Sequence, residues 1–202
     1  MPSRGSRPVS VAITGSIGAG KTTALVAFAR HGAAVVSSDQ IVHNLLATDP
    51  EIRRILLERW GDRVLDEAKQ LDRAAIAEVV FSDPEELAFL ESVLHPRVMK
   101  EYLEWREGLA RLEAPPAVCV TEVPLLFEVG GEQQFDAVVV ITAPRKLRQA
   151  RSDVSGIDDR SGRLIPDDEK VRRSDFSYVN TGTEEDLDAF VVSVLEQLRA
   201  RG

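Results

Sequence analysis

The stretch "VAITGSIGAGKTT", Val11 to Thr23, decides the fold of this chain. Within it "GSIGAGKT", Gly15 to Thr22, fits G-x-x-x-x-G-K-[ST] at every defined position. An apolar run precedes it and a segment rich in helix formers follows, which is the strand–loop–helix context such a loop requires. Gly15, Gly18 and Gly20 let the main chain turn so that successive N–H groups, those of Ala19 and Thr23 among them, point at one anion. The helix that follows presents its positive end to the same anion. Lys21 has the reach for β- and γ-phosphates, and the Thr22 hydroxyl is a Mg²⁺ ligand.

Working outward, five short runs read as strands: 10–14, 33–38, 117–123, 136–142 and 176–180. Several are almost wholly apolar, as parallel strands covered on both faces must be. The segment after the loop ends at Gly32, a suitable left-handed cap. Leu187, Phe190, Val191, Val194, Leu195 and Leu198 recur at helical spacing and form one stripe. Strands alternating with helices predict a doubly wound α/β fold whose ligands bind beyond the carboxyl ends of the strands. The interval 39–115 is too long for one crossover and holds helical stretches at 51–59, 72–81 and 84–112. The last is expected to break at "LHP", because Pro96 removes a donor and restrains His95.

Composition narrows the classes. The 202 residues carry a net charge of −8, so neither nucleic acid nor an anionic membrane is a default partner. Residues 145–173 depart from this, with nine basic and six acidic side chains. No apolar run approaches the ~20 residues of a membrane span. "MPSRGSRP" lacks an apolar region after it and reads as a short arm rather than a signal peptide. One cysteine, Cys119, makes neither an internal disulfide nor a zinc site, which favours a cytoplasmic protein.

A phosphate loop alone does not choose between kinase, motor and switch. "VVSSDQIVHNLL" places Asp39 just past a strand's carboxyl end, where a carboxylate can accept or orient the proton of an attacking hydroxyl. Asp39 would equally serve as N-cap of a helix over 40–46. Glu122 lies at the corresponding end of the third predicted strand, and either organises Mg²⁺ through water or binds a loop backbone.

Taken together with "GAAVVSSDQIVHNLL", "LDRAAIAEVVFSDPEELAFLESVLHP", "VPLLFEVG" and "EKVRRSDFSYVNTG", the loop makes the chain resemble the dephospho-coenzyme A kinases over 9–198. The resemblance implies a five-stranded parallel core (9–38 and 116–202), a helical acceptor domain (39–115) and a lid segment (145–170). It implies transfer of the γ-phosphate of ATP to the ribose 3′-hydroxyl of dephospho-coenzyme A, with Mg²⁺ and no obligate protein partner. Asp39 would be the base, and Gly18 to Thr23 would hold the ATP phosphates. Asn180 and Gly182 would lie beside the adenine. Arg73 and His95 would belong to the acceptor domain, and Pro124, Leu125 and Glu128 would line the acceptor cleft. Arg151 and Arg160 are the favoured lid arginines over Arg148 and Arg163. For Phe81, Leu90 and Leu94 core packing is the expectation, and for His95 ordering of the helix break.

Two departures stand out. The family's D-x-D is Ser37-Ser38-Asp39 here, so the first carboxylate is absent. The lid stretch carries Gly156, Gly162 and Pro166, with Leu164 near the glutamine the family would have. A kinase for another nucleoside or nucleotide is the nearest rival, followed by a catalytically weak nucleotide-binding homologue. A guanine-reading switch would need N-K-x-D, which the chain lacks.

Overall fold

The structure is a computed structural model, and it describes residues 7–151 and 164–201. Two compact units emerge: Met1–Ser37 with Arg106–Gly202, and Ser38–Trp105.

The first unit is built on strands β1 (Val9–Thr14), β2 (Ala34–Ser37), β3 (Val118–Glu122), β4 (Ala137–Thr142) and β5 (Phe176–Val179). They form one sheet in the order β2-β3-β1-β4-β5, and every pairing is parallel. β1 is central, with Ile13 in register with Glu122 on one side and Val139 on the other. The chain leaves β1 toward one half of the sheet and later returns to build the other. The crevice past β1 is therefore the switch point where α/β folds bind ligands.

Both faces are covered, which explains the unbroken apolar runs. Val11, Ile13, Val120, Val139 and Ile141 pack with Phe28 of α1 (Lys21–Arg30) and with Leu187, Val191, Leu195 and Leu198 of α8 (Glu184–Arg201). Ala12, Val138 and Val140 point the other way, against Leu126 and Phe127. Each large side chain on the α8 stripe contributes roughly 1.5–3 kcal/mol through burial. Cys119 lies in this core, and burial pushes its thiol up to about 11. α1 ends as its sequence predicts: Gly32 has φ +86°, its N–H donates to the Ala29 carbonyl, and that of Ala33 donates to Phe28. This paired termination requires a left-handed residue, and glycine takes that conformation without strain.

The second unit contains α2 (Ser38–Thr48), α3 (Pro50–Trp60), α4 (Arg73–Ser82) and the larger part of α5 (Pro84–Ala110). Asp49 caps α3, accepting from the N–H groups of Glu51 and Ile52, with Pro50 in the first turn. Ile52, Leu56, Trp60, Val64, Ile76, Val80, Val93 and Leu94 are buried here. Glu86 accepts from Arg59 and from the Trp60 indole, while the Trp60 and Phe89 rings meet edge to face. The remaining helices, α6 (Arg145–Arg151) and α7 (Asp167–Arg172), belong to the first unit.

Three expectations are corrected. α5 does not break at Pro96, so His95 orders no break; it is an exposed mid-helix residue. Arg97 Nη1 donates to the Val93 carbonyl at 2.9 Å, one residue on from the Ser92 carbonyl whose i+4 donor the proline removes. Phe81 is 73% exposed rather than packed, because α4 buries Ile76 and Val80, and the next position faces off that stripe. Leu94, by contrast, is buried as expected, and Leu90 partly so. Finally, α2 starts at Ser38 directly after β2, so Asp39 sits inside the first turn and is not the helix cap.

Candidate active site

The phosphate loop has the backbone its glycines require. Gly15, Gly18 and Gly20 take φ values of +133°, +74° and +99°. Space demands glycine as well: a Cβ on Gly15 would stand 1.9 Å from the Ile141 carbonyl oxygen, and one on Gly18 would stand 2.8 Å from that of Arg148. Gly20 is the N-cap of α1 and supplies no side-chain acceptor, and no acidic residue occupies the first turn. The end of α1 is thus uncompensated, with N–H groups and dipole available to an anion. Lys21 is 8% exposed, and its Nζ donates to the Ser16 carbonyl at 3.1 Å.

A cavity of about 450 Å³ opens over this loop. Gly18, Gly20, Lys21, Thr22 and Thr23 line one side, and Asn180, Gly182 and Arg151 complete it. Asn180 is buried, and its amide donates to the Ala19 carbonyl at 2.8 Å, so the residue expected beside a base also braces the loop. Gly182 makes room for Asp186: a Cβ there would lie 2.2 Å from Asp186 Oδ2. Asp186 and Thr183 bond reciprocally at the start of α8, a capping box next to the cavity. The Arg148 guanidinium donates to the Ala143 carbonyl, and its backbone meets Gly18. Arg160 and Arg163 lie outside the described residues.

Thr22 Oγ1 lies 3.3 and 3.5 Å from the two carboxylate oxygens of Glu122, which is 8% exposed. A hydroxyl and a carboxylate are hard oxygen donors, and two protein donors suit Mg²⁺, which keeps waters and phosphate oxygens as its other ligands. Among the described residues no group of three or more His, Cys, Asp and Glu assembles into another metal site.

The segment after β3 divides its roles. Leu125 is 43% exposed, and the Pro124 carbonyl accepts from Thr14 Oγ1. Glu128 departs from the expectation of a cleft-lining side chain. Its side chain is 6% exposed and pairs with Lys170 Nζ at 2.7 Å, and Oε1 also accepts from the Ile165 N–H. Of the acceptor-cleft candidates, Pro124 and Leu125 therefore keep some exposure, while Glu128 is an internal anchor.

In the helical unit, Asp39 is exposed in the first turn of α2, where the helix dipole favours a carboxylate. Among the described residues it makes neither a hydrogen bond nor an ion pair. His43 follows four positions later, on the same face. Its Nδ1 lies 3.1 Å from Nη1 of Arg73, the first residue of α4. Because arginine only donates, Nδ1 is the acceptor in this contact. The candidate base and the candidate acceptor-binding arginine thus share one edge of the unit through His43.

Sequence reasoning passed over His43, although "DQIVH" puts it one helical turn from Asp39. It also passed over Thr183 and Glu184, which line the cavity, and Asp167, whose carboxylate accepts from the Ser16 hydroxyl of the loop. Nothing local in the sequence marks the last, because its partner lies in the phosphate loop, far along the chain.

Comparison with known proteins gives the chain's family. A family model described as dephospho-CoA kinase matches residues 9–186. A dephospho-CoA kinase of Thermus thermophilus is 36% identical over 199 residues, covering 95% of this chain and 92% of the relative. One from Chlorobaculum tepidum is 32% identical over 200 residues, with 95% of each chain covered. Among solved structures, a dephospho-CoA kinase from Campylobacter jejuni superposes with a TM-score of 0.70 at 27% identity, over 95% of this chain and 97% of that one. Shikimate kinase from Aquifex aeolicus, at 13% identity and a TM-score of 0.52 over 93% and 96%, shares the fold alone. A phosphate loop on a five-stranded parallel sheet and a family match spanning most of its length together mean that this chain belongs to the dephospho-CoA kinase family.

Proposed function

We propose that the protein phosphorylates the ribose 3′-hydroxyl of dephospho-coenzyme A, using ATP and Mg²⁺ in the cytoplasm, and that it needs neither nucleic acid, membrane nor protein partner to do so. The observation that carries this reading is the cavity over the loop, where Lys21, Thr22 and Arg151 converge on the free end of α1. Among the described residues no helix is long and apolar enough to cross a membrane.

The roles follow from the chemistry of each side chain. The loop N–H groups, with Gly18 to Thr23, hold the donor phosphates, and the dipole of α1 favours their charge. Lys21 and Arg151 neutralise charge that grows on the transferred phosphoryl group, with Arg160 as a second arginine of the same stretch. An arginine in that role is worth about 10³–10⁵ in rate. Thr22, and Glu122 through water, would hold Mg²⁺, which would supply neutralisation of the donor's phosphate charge. Asp39 accepts the hydroxyl proton, and an exposed carboxylate without a protein partner suits that task. Arg73 binds the acceptor, steadied by His43, with His95 on α5 and Pro124 and Leu125 as further acceptor contacts. Asn180 and Gly182 border the base while holding the loop and the α8 cap.

The missing first carboxylate of D-x-D does not argue against catalysis. Ser37 stands in register with Glu122, so the neighbouring strand carries a carboxylate at the same level of the sheet. The test is ATP consumption with and without dephospho-coenzyme A, with the phosphorylated position determined. Acceptor-dependent turnover that yields the 3′-phosphate is expected. Equal hydrolysis in both arms would show a nucleotide-binding homologue, and faster transfer to another nucleoside or nucleotide would overturn the choice of acceptor.

A further inference from the structure

The chain from Ile165 to Lys170 is tied down at three points within six residues. The Ile165 N–H donates to Glu128 Oε1 at 3.2 Å, and Lys170 Nζ pairs with the same oxygen at 2.7 Å. Both charged side chains are almost fully enclosed, at 4% and 6% exposure. Between these anchors, the Asp167 carboxylate accepts from the hydroxyl of Ser16. Ser16 is the second residue of the phosphate loop, and its carbonyl accepts from both Lys21 Nζ at 3.1 Å and the Ala19 N–H at 3.2 Å.

We propose that Asp167 is a positioning residue for nucleotide binding: held between two buried anchors, it fixes Ser16 and thereby the loop carbonyl on which Lys21 rests. The inference rests on the reading of the loop as the ATP site. A carboxylate beside an anion site opposes phosphate through its charge, so Asp167 can favour binding only through geometry. The geometry is suited to this. A loop rich in glycine has many backbone states, and a charged hydrogen bond to its serine hydroxyl removes some of them before the ligand arrives. The same connection makes the segment that returns from the arginine-bearing stretch part of the phosphate cradle. Glu128 and Lys170 act one step further back, holding the turn of helix that carries Asp167.

The experiment is a double-mutant cycle on the full chain, with Ser16→Ala, Asp167→Ala and the pair together. ATP affinity is titrated without acceptor, and KM for both substrates and kcat are measured beside it. Each single variant is expected to weaken ATP binding about tenfold, and the pair no further, because one bond is being removed twice. Asp167→Asn keeps an acceptor oxygen and is expected to restore most of the affinity, whereas a like-charge contribution alone would make it bind tighter than the original. Acceptor KM and thermal unfolding are expected to stay near those of the parent. Additive losses, or single variants that leave ATP affinity unchanged, would overturn the proposal. Absence of nucleotide binding by the unaltered protein in the same titration would overturn the functional reading and this inference with it.

Discussion

The side-chain amide of Asn180 donates to the carbonyl of Ala19 across 2.8 Å, joining the residue after β5 to the phosphate loop. Gly20 exists in part to permit this bond, since a Cβ there would stand 2.4 Å from Asn180 Nδ2. The two residues are therefore one device, in which a buried amide holds the loop and a missing side chain lets it approach.

Asn180→Ala leaves the Ala19 carbonyl without that partner in a buried setting. The expected cost is about 1–3 kcal/mol, divided between folding and nucleotide binding. Urea unfolding and ATP titration measure the two shares. Gly20→Ala is expected to be worse for ATP binding, because it adds strain at positive φ to the clash. Equal ATP affinity in all three proteins would separate Asn180 from the loop.

Asp39→Asn is expected to lower turnover at least ~100-fold while ATP affinity is kept. The carboxylate makes no bond among the described residues, so its removal should leave the thermal midpoint almost unchanged. Steady-state kinetics with equilibrium ATP binding would check this, and turnover within ~3-fold of the parent would remove Asp39 from the chemistry.

Arg73→Ala is expected to raise the acceptor KM with little change in ATP affinity. His43→Ala should shift the same parameter in the same direction by a smaller factor, because it removes only the group that steadies Arg73. A loss of ATP binding in Arg73→Ala, with acceptor affinity intact, would contradict the assignment of the helical unit.

Asp136 gives the fold an acid-sensitive point. Hydrogen bonds from the Arg7 guanidinium, and then from the Ser10 N–H and hydroxyl, hold its carboxyl well below the usual carboxylate range. A group depressed on folding stabilises the protein above its unfolded pKa, and that contribution is lost as pH falls through the native value. Asp136→Asn should therefore cost about 1 kcal/mol at neutral pH, given partial exposure, and progressively less below about pH 4. Denaturant midpoints at several pH values test the sign, and a gap that widens on acidification would refute it.

Lys170→Met leaves Glu128 enclosed without its partner and is expected to destabilise by roughly 3–5 kcal/mol. Adding Glu128→Leu should recover most of that loss, because the uncompensated charge goes with it. Thermal unfolding of the single and double variants distinguishes a buried pair from a surface one, where both changes would be nearly silent.

Much of the fold was legible because its signals are local. The strands needed only short runs of β-branched, aromatic and small apolar residues, and α8 needed only the recurrence of Leu187, Val191, Leu195 and Leu198. Gly32 could be read as a terminator because the left-handed turn is a property of a single residue. The misreadings share a different character. Pro96 was expected to break α5, but the helix runs through it from Pro84 to Ala110, because a long helix can carry one proline at the cost of a single backbone bond. Phe81 was expected inside, because residue type was visible and the orientation of α4 was not.

For the site, the sequence by itself determined the anion-binding loop, its lysine and its metal-ligating hydroxyl, since these lie within eight consecutive residues whose spacing carries the chemistry. It also placed Asp39 just beyond a strand. Only the tertiary structure decided that Glu128 faces Lys170, that Asp167 holds Ser16, that His43 meets Arg73 and that Gly18 must clear the backbone of Arg148. Each of these depends on which segments pack together. Packing is settled by the summed burial of a whole core, and no short window of residues contains that sum.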